Sequence, residues 1–320
     1  MKILIASSIH KNAVDKLQKE HDVVCAFNAS EENLISAVAD RDILIFRSGV
    51  KISTEVLKSA PNLKMLIRAG SGLDNLDLDY VRQREIKLVR IPQPGAKAVA
   101  ELSFAFMLAL SRELLKADSL WRQGHWVKSE MKGFLLTGKV LGVIGCGNIG
   151  SRVGAMGAAW GMNVLGCVRH SNLTNEFISG MKAKGIKITS FDEVVANADY
   201  LSIHVPLDDS TRNLINENVL NRMKPGSYLM NLARGGVVDE QALYRALTEG
   251  GKLKGAATDV HVAEGEGKIS PLAGLQNVIL TPHIGAQTID SQKEIGEIIL
   301  STVEEFEKEK IKILQESAVN

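Results

Sequence analysis

Short apolar runs alternate with amphipathic segments along the first 91 residues. The apolar runs have the length of strands, and the amphipathic segments have helical spacing. The strand-like runs cover residues 2–7, 23–27, 42–46, 63–68 and 89–91, and the helix-like segments cover 12–20, 31–39 and 54–59. Alternating strands and helices with short connections predict a parallel sheet covered on both faces.

The same alternation resumes at residue 139. An apolar run at 139–144, rich in β-branched residues, leads into glycines and then into a helix-like segment at 151–160. Further β and α segments cover 163–168, 186–189, 191–195, 200–205, 216–221, 227–232, 239–249, 256–260 and 278–281. A long helix is predicted over 288–309 and is expected to return to the first domain.

The stretch between the two halves contains the predicted domain boundary. Pro92-Gln93-Pro94-Gly95 predicts a rigid, helix-breaking connection. The helix predicted at 98–116 is apolar nearly all round, so we expect it to be buried between domains or between subunits. Residues 121–136 combine aromatic side chains with little periodicity and could form an arm that packs on a second subunit.

Composition limits the possible partners. The 320 residues suffice for about two domains, and 38 lysines and arginines balance 37 acidic residues, so neither nucleic acid nor an anionic membrane is an expected partner. Cys25, Cys146 and Cys167 lack metal-ligand or C-x-x-C spacing, which predicts no metal site and suits a reducing cytosol. No signal peptide and no apolar stretch of membrane-spanning length is found, so we expect a cytoplasmic protein.

The glycines after the strand at 139–144 form the motif G-x-G-x-x-G, with Gly145, Gly147 and Gly150. In such a motif the first glycine permits a tight turn, the second lets the backbone approach a pyrophosphate, and the third packs helix against strand. The motif alone is weak evidence in a chain with 28 glycines. Its position between a strand and a helix makes it a prediction of dinucleotide binding, with the phosphates at the helix N-terminus.

The end of the next strand bears on the choice of coenzyme. NAD-binding folds usually carry an acidic residue there, which binds the adenosine ribose. Here the position holds Val168, followed by Arg169 and His170. With no carboxylate to repel a 2′-phosphate and a guanidinium to bind one, NADP is the expected coenzyme. The alternative is that Arg169 is simply solvated and NAD is held by other contacts.

Polar clusters follow the predicted strands of the second half, so they should meet at one edge of the sheet. They begin at His204, Asn231, Thr258 and Thr281. Reduction of a carbonyl by hydride needs a proton donor near the oxygen and a cation that holds the substrate carboxylate. His283 and Arg234 are side chains of those types, and Glu264 could orient the imidazole and favour its protonated form.

These stretches together resemble the D-isomer-specific 2-hydroxyacid dehydrogenases, most closely the phosphoglycerate dehydrogenase type, with similarity also to glyoxylate and hydroxypyruvate reductases. The resemblance rests on six motifs: RAGSGLDNLDL from Arg68, AELSFAFMLALSR from Ala100, KVLGVIGCGNIG from Lys139, HVPLDDSTRNLI from His204, MKPGSYLMNLARGGVVDEQAL from Met223 and TPHIGAQT from Thr281. The resemblance implies α/β architecture: two Rossmann-like, doubly wound parallel-sheet domains with the active site in the cleft between them. Residues 1–97 plus 286–320 would form a flavodoxin-like substrate-binding domain, and 98–285 the dinucleotide-binding Rossmann domain. A homodimer joined through the nucleotide domains is also implied.

The resemblance also implies roles for individual residues. Arg234 would bind substrate carboxylate and carbonyl, His283 would be the acid/base and Glu264 its partner. The Ser71 and Gly72 amides would contact the substrate carboxylate, and Arg47 a substrate phosphate. The expected cofactor contacts include the residues at the end of the second strand. They are Gly145, Gly147, Asn148, Ile149, Val168, Arg169, His170, His204, Val205, Pro206, Thr211, Leu232, Ala233 and Asp259.

Some positions depart from the family pattern. Gly95 replaces an expected asparagine, Arg90 lies where the connecting strand is commonly uncharged, and Gly265-Glu266-Gly267 follows Glu264 in place of Glu-Pro. The predicted function is NAD(P)-dependent, NADP-preferring reduction of a small 2-oxo acid, or the reverse. The substrate could carry a second anionic group, as phosphoglycerate does, or could be hydroxypyruvate or glyoxylate. A nucleotide-sensing binding protein, similar to a corepressor, is the alternative use of this fold.

Overall fold

The computed structural model describes residues 1–27, 29–169, 173–249 and 251–318. The chain divides into two compact units, one of Met1–Gly95 with Gln287–Asn320 and the other of Ala96–Ala286. Relative to the predicted boundaries, residues 96, 97 and 286 belong to the second unit. None of the described helices is long and apolar enough to cross a membrane.

The first unit contains, among its described residues, a parallel sheet of five strands in the order β2-β1-β3-β4-β5. The strands are β1 (Lys2–Ile5), β2 (Asp22–Cys25), β3 (Ile43–Phe46), β4 (Met65–Arg68) and β5 (Lys87–Arg90). This order is the flavodoxin-like one. The inner strands β3 and β4 are buried throughout, whereas the edge strands are half-exposed, so the core lies on both faces of β1, β3 and β4.

The helices of the first half are α1 (Lys11–Glu20), α2 (Glu31–Val38), α3 (Thr54–Lys58) and α4 (Leu78–Gln83). Helix α4 was not predicted. It is short, and Val81 is its buried apolar residue, so it has little hydrophobic periodicity. Its start is set by Asp77, whose side chain accepts a hydrogen bond of 3.0 Å from the Tyr80 amide.

The second unit contains, in the described part of the chain, a parallel sheet of seven strands in the order β12-β11-β10-β9-β6-β7-β8. The strands are β6 (Val140–Ile144), β7 (Asn163–Cys167), β8 (Ile186–Ile188), β9 (Tyr200–Ile203), β10 (Ser227–Asn231), β11 (Leu253–Thr258) and β12 (Val278–Leu280). Read from β8, this is the Rossmann order 3-2-1-4-5-6 with one further strand. The prediction of two doubly wound parallel-sheet domains is therefore confirmed.

The helices of the second half are α5 (Gln93–Ser111), α6 (Leu114–Arg122), α7 (Gly150–Ala159), α8 (Asn175–Ala183), α9 (Phe191–Asn197), α10 (Glu217–Arg222) and α11 (Glu240–Thr248). The prediction that residues 92–95 break a helix was wrong, because α5 begins at Gln93 and includes Pro94 and Gly95. Proline is tolerated in a first helical turn, where its missing N–H has no partner to lose. Helix α8 was also not predicted; Thr174 caps its start.

The apolar segment predicted as one helix at 98–116 is divided between α5 and α6. Glu113 takes a left-handed conformation, with φ of 50°, and ends the first helix before Leu114 begins the second. Phe104, Phe106 and Met107 of α5 are buried in the core of the second unit. Helix α6 has no buried residue among those described, and Trp121 lies in its last turn.

The last helix, α12 (Ile289–Ala318), packs with the first unit. Its apolar face places Ile295, Ile299 and Val303 in the same core cluster as Ala13 and Leu17 of α1. The first unit is thus formed from two separate segments of the chain, the N-terminal strands and helices and the C-terminal helix α12.

Candidate active site

Each glycine of the loop after β6 meets a different steric requirement. Gly145 has a φ of +93°, and a Cβ there would lie 2.5 Å from the carbonyl oxygen of His204. A Cβ on Gly150 would lie 2.0 Å from the carbonyl oxygen of Gly145. A Cβ on Gly147 would meet nothing within 4 Å, so its backbone is open to a ligand. The loop therefore fits a bound pyrophosphate, which would lie against Gly147 and the N-terminus of α7.

These contacts predict opposite effects for two substitutions. Gly147→Val should leave the thermal midpoint of unfolding nearly unchanged but weaken NADPH binding by about tenfold or more, because the side chain fills the space of the phosphates. Gly150→Ala should destabilise the second unit by about 1–3 kcal/mol, because its Cβ collides with backbone. Thermal melts and fluorescence titration with NADPH measure both effects. Gly180→Ala, at an open position on α8, is the control. Unchanged NADPH affinity in Gly147→Val would contradict this assignment.

A cavity of about 900 Å³ lies beside the glycine loop within the second unit. This volume suits a nucleotide. The predicted cofactor residues that line it are Gly145, Gly147, Val168, Arg169, His204, Val205, Pro206 and Thr211. Asn148, Ile149, Leu232, Ala233 and Asp259 are not among its lining residues. His170 lies outside the described residues, so the structure gives no account of it.

Apolar side chains that the sequence analysis missed also line this cavity. They are Leu173, Phe177, Phe191 and Leu214. Phe177 belongs to the unpredicted helix α8, and Phe191 opens α9. The sequence shows apolar residues after the second strand of this unit, but apolar residues at such positions are equally typical of the protein core. Only the packing of α8 and α9 shows that they face a cavity.

Arg169 forms an ion pair at the rim of this cavity. Its Nη1 atom lies 2.7 Å from Oδ2 of Asp208. The other carboxylate oxygen of Asp208 accepts hydrogen bonds from the Ser210 amide and hydroxyl, at 2.9 and 2.6 Å. The hydroxyl of Ser210, the Ser210 amide and the Arg169 guanidinium lower the pKa of Asp208 to about 2, against the opposing effect of desolvation. Arg169 is thus paired with a carboxylate that a 2′-phosphate would have to displace or share.

His204 enters the site as a neutral side chain. Its Nε2 lies 2.8 Å from the hydroxyl of Ser202, and its Nδ1 is buried without a hydrogen-bond partner among the described residues. Burial lowers the pKa of His204 to about 3. Thr211 holds the neighbouring turn, since its hydroxyl donates to the carbonyl of Pro206 at 2.7 Å. These two residues therefore shape the cavity wall without adding charge.

Asp259 organises the turn that carries His283. The carboxylate of Asp259 is buried and accepts hydrogen bonds from the Thr281 hydroxyl at 2.6 Å, the Ile284 amide at 2.8 Å and the Gly285 amide at 2.7 Å. The His283 amide donates to the Asp259 carbonyl at 2.8 Å. His283 has a φ of 55°, a left-handed conformation uncommon for a side-chain-bearing residue. Such conformations persist where the surroundings enforce them, as Asp259 does here.

His283 and Glu264 form a hydrogen-bonded pair. Nδ1 of His283 lies 2.9 Å from Oε2 of Glu264, and Oε1 of Glu264 accepts a 3.1 Å hydrogen bond from the His261 amide. Partial burial acts to raise the pKa of Glu264, but the hydrogen bond and charge of His283, with the His261 contacts, outweigh it and the pKa is lowered. Glu264 is therefore ionised and fixes Nδ1, which leaves Nε2 of His283 for a substrate.

The turn of Arg234 lies against the segment that leads to Glu264. A Cβ on Gly235 would lie 1.8 Å from the carbonyl oxygen of His261, so only glycine permits this approach. His261 in turn places its Nε2 3.0 Å from the carbonyl of Thr281. Three of the predicted clusters thus meet in the second unit through His261, which the sequence analysis did not single out.

Buried Asn231 supports the turn that presents Arg234. Its Nδ2 donates to the Arg234 carbonyl at 3.2 Å, and its Oδ1 accepts from the Ala233 amide at 3.1 Å. Nη1 of Arg234 donates to the Ala233 carbonyl at 2.8 Å. The guanidinium is therefore held close to its own turn, at the carboxyl end of β10.

The remaining predicted residues belong to the first unit. The Arg47 amide donates to the Ser7 hydroxyl at 2.9 Å, which places it at the point where strand order reverses between β1 and β3. Nη1 of Arg47 donates to Oε1 of Gln287 at 3.3 Å. Ser71 and Gly72 lie in the loop after β4. No group of three or more metal-ligating side chains is found among the described residues.

Comparison with known proteins identifies the family. The NAD binding domain of the D-isomer specific 2-hydroxyacid dehydrogenases matches residues 104–285. The D-3-phosphoglycerate dehydrogenase of Methanocaldococcus jannaschii is 37% identical over 304 residues, 95% of this chain and 57% of that protein. The hydroxypyruvate reductase of Thermotoga maritima is 35% identical over 298 residues, 92% of each chain. This chain spans about half the length of the phosphoglycerate dehydrogenases that it matches.

A solved structure agrees with the sequence relatives. The D-lactate dehydrogenase from Aquifex aeolicus, complexed with NAD and lactic acid, has a TM-score of 0.85 and 32% identity, covering 97% of this chain and 96% of that one. The resemblance predicted from the motifs is thus confirmed, and the match extends over both units. The chain belongs to the D-isomer specific 2-hydroxyacid dehydrogenase family.

Proposed function

We propose that this chain is a 2-oxo acid reductase that prefers NADP and can also run in the direction of 2-hydroxy acid oxidation. The observation that carries the proposal is the 2.9 Å pair of His283 and Glu264, set beside the Arg234 turn in the unit that holds the glycine loop. An ionised carboxylate behind an imidazole, with an arginine on the adjoining turn, suits carbonyl reduction. Family membership supports the same reaction class.

The chain's own residues divide the chemistry between them. A bound nicotinamide coenzyme would supply the hydride. Glu264 holds Nδ1 of His283 and fixes the imidazole, so that Nε2 is available to donate a proton to the carbonyl oxygen. Arg234 holds the substrate carboxylate and polarises the carbonyl. The amides of Ser71 and Gly72 would bind the same carboxylate, as the family resemblance implies.

Residues outside the His283–Arg234 centre would determine which tail the 2-oxo acid carries. Arg47 would contact a second anionic group, as in a phosphorylated 2-oxo acid, and the similarity to D-3-phosphoglycerate dehydrogenases supports this. The similarity to a hydroxypyruvate reductase supports a short, uncharged tail. Both substrates share the 2-oxo acid group that His283 and Arg234 address.

The preference for NADP rests on Val168 and Arg169, and it predicts unequal effects on the two coenzymes. Arg169→Ala should weaken NADPH binding by about tenfold while changing NADH binding little, because a charge-assisted contact to the 2′-phosphate is lost. Asp208→Asn should strengthen NADPH binding, because it removes the competing carboxylate. Fluorescence titration measures both affinities. Arg222→Ala, which removes an exposed arginine paired with Asp192 at 2.7 Å, is the matched control. Equal weakening of NADPH and NADH would disprove this role of Arg169.

We further propose a homodimer joined through the second unit, and a cytoplasmic location. Large apolar side chains are exposed along α6 and the stretch after it: Leu114, Leu115, Trp121, Trp126, Phe134 and Leu135. The rings of Trp121 and Trp126 lie 5.3 Å apart edge-to-face. Such a patch supports a covered interface. A monomer in sedimentation velocity would exclude the dimer. The unpaired cysteines support a reducing compartment.

The test of the proposed function is steady-state oxidation of NADPH and NADH, side by side. The substrates are glyoxylate, hydroxypyruvate, 3-phosphohydroxypyruvate and a branched 2-oxo acid. Turnover with one acid and faster reaction with NADPH is the expected result. Faster reaction with NADH would overturn the coenzyme preference alone. No turnover with any acid, together with tight coenzyme binding, would overturn the reductase and favour a nucleotide-sensing protein.

A further inference from the structure

Two arginines of the first unit hold backbone carbonyls of the loop after β4. Nε of Arg68 donates to the carbonyl of Gly72 at 2.9 Å, and Nη2 of Arg90, at the end of β5, donates to the carbonyl of Ser71. Arg68 is buried, and its guanidinium lies 5.7 Å from the ring centre of Phe46. Both cations are thus engaged with the backbone of this loop.

The loop conformation depends on this arrangement. Gly70 has a φ of +155°, and a Cβ there would lie 2.6 Å from Nη1 of Arg68, so the guanidinium would have to shift to accommodate any other residue. The Gly70 amide donates to the Arg68 carbonyl at 2.8 Å, and that carbonyl also accepts from the Ile91 amide at 3.0 Å. The start of the loop is therefore hydrogen-bonded to the end of β4, which is itself bonded to the residue after β5.

The hydrogen bonds from Arg68 and Arg90 to the loop carbonyls also determine where the N–H groups of the same peptides point. No described peptide bond is cis, so the Ser71 carbonyl and the Gly72 N–H point in opposite directions from one planar group. The bond from Arg90 to this carbonyl therefore fixes the direction of the Gly72 N–H. A carbonyl that accepts a hydrogen bond from a cation also makes its own peptide N–H a stronger donor. The Ser71 and Gly72 amides donate to no described residue.

We propose that Arg90 is a positioning residue for the substrate carboxylate: it aligns and polarises the Ser71–Gly72 peptide so that the Gly72 amide can bind the carboxylate. This inference rests on the proposed function. It assigns a role to an arginine at a position where the family strand is commonly uncharged. It also means that Arg90 serves every 2-oxo acid, since each carries the carboxylate, and does not recognise a second anionic group.

Substitution of Arg90 tests this role. Arg90 is exposed, so Arg90→Gln should fold. The KM for glyoxylate and for 3-phosphohydroxypyruvate should both rise about tenfold, because a charged hydrogen bond that supports substrate binding is lost. The kcat should change by less than about twofold, and NADPH affinity should be unchanged. Arg90→Lys should restore part of the affinity, because it retains a cationic donor.

The matched control is Arg82→Gln, which removes another exposed arginine of the first unit, paired with Asp79 at 2.9 Å. If Arg90→Gln behaves like Arg82→Gln, the inference is wrong. A rise in KM confined to 3-phosphohydroxypyruvate would also overturn it, since Arg90 would then contact the second anionic group directly.

Hydrogen exchange separates this inference from the proposed function. Arg90→Gln should speed amide exchange in a peptide covering residues 69–76, whereas Arg82→Gln should not. If the wild-type chain reduces none of the acids, the proposed function fails and exchange alone decides the loop's dependence on Arg90. Unchanged exchange in Arg90→Gln would overturn the inference in either case.

Discussion

His283→Asn should lower kcat for 2-oxo acid reduction by about 10²- to 10⁴-fold, the usual contribution of a positioned general acid. Asparagine is the informative replacement because it tolerates the left-handed backbone that His283 adopts at φ of 55°. Alanine would add backbone strain and confuse loss of the proton donor with distortion of the turn. NADPH affinity should be retained, because His283 is not among the residues that line the nucleotide cavity. Stopped-flow reduction and coenzyme titration measure the two quantities.

Glu264→Gln provides the comparison for this prediction. It can keep a hydrogen bond to Nδ1 of His283 but removes the charge. Although partial burial acts to raise the pKa of Glu264, the hydrogen bond and charge of His283 lower it, so the carboxylate is ionised and faces the imidazole with a full negative charge. The variant should therefore lower kcat for 2-oxo acid reduction by about tenfold or more, because the charge that supports the proton donor is lost. Wild-type turnover in His283→Asn, or wild-type turnover in Glu264→Gln, would contradict the assigned roles.

The second large effect is expected at Arg234. Arg234→Gln should reduce kcat/KM by about 10²- to 10³-fold, because the carboxylate clamp and the polarisation of the carbonyl are lost together. Arg234→Lys should recover little, since an ammonium cannot form the two parallel hydrogen bonds of a guanidinium. The supporting turn should survive either substitution, because Asn231 bonds to the backbone of Ala233 and Arg234.

Arg212→Gln is the control for the Arg234 variants. Arg212 is exposed and its Nη1 lies 3.9 Å from the position of a Cβ on Gly236, next to the same turn. Arg212→Gln therefore removes one positive charge near the site, as Arg234→Gln does, but leaves the Arg234 guanidinium in place. Equal losses in the two glutamine variants would show that net charge, and not the Arg234 guanidinium, accounts for the effect.

Most of the fold was predictable because its signals are local. Strand length, helical spacing and the glycine motif are read within a few residues, and they placed the strands of both sheets to within a few positions. The missed helices, α4 and α8, are short and each buries a single residue, Val81 or Met181. Their stability comes from caps and from the elements they pack on, which hydrophobic periodicity does not detect. Pro94 was misread for a related reason: a proline disrupts a helix only beyond its first turn.

The sequence by itself determined the family, the two α/β units and the types of side chain that follow the strands, because each depends on short motifs and their order. It did not determine which charged groups meet. Asp208 lies 39 residues from Arg169, and Arg90 lies 19 residues from the carbonyl it holds. His261 joins three clusters, because its carbonyl lies against Gly235, 26 residues earlier in the chain, and its Nε2 lies against the carbonyl of Thr281, 20 residues later. Such pairings depend on how strands stack in the sheet and how closely glycines let their loops approach. Only the tertiary structure therefore decided that Arg169 has a carboxylate partner, that Asp259 builds the His283 turn, and that Arg68 and Arg90 support a loop.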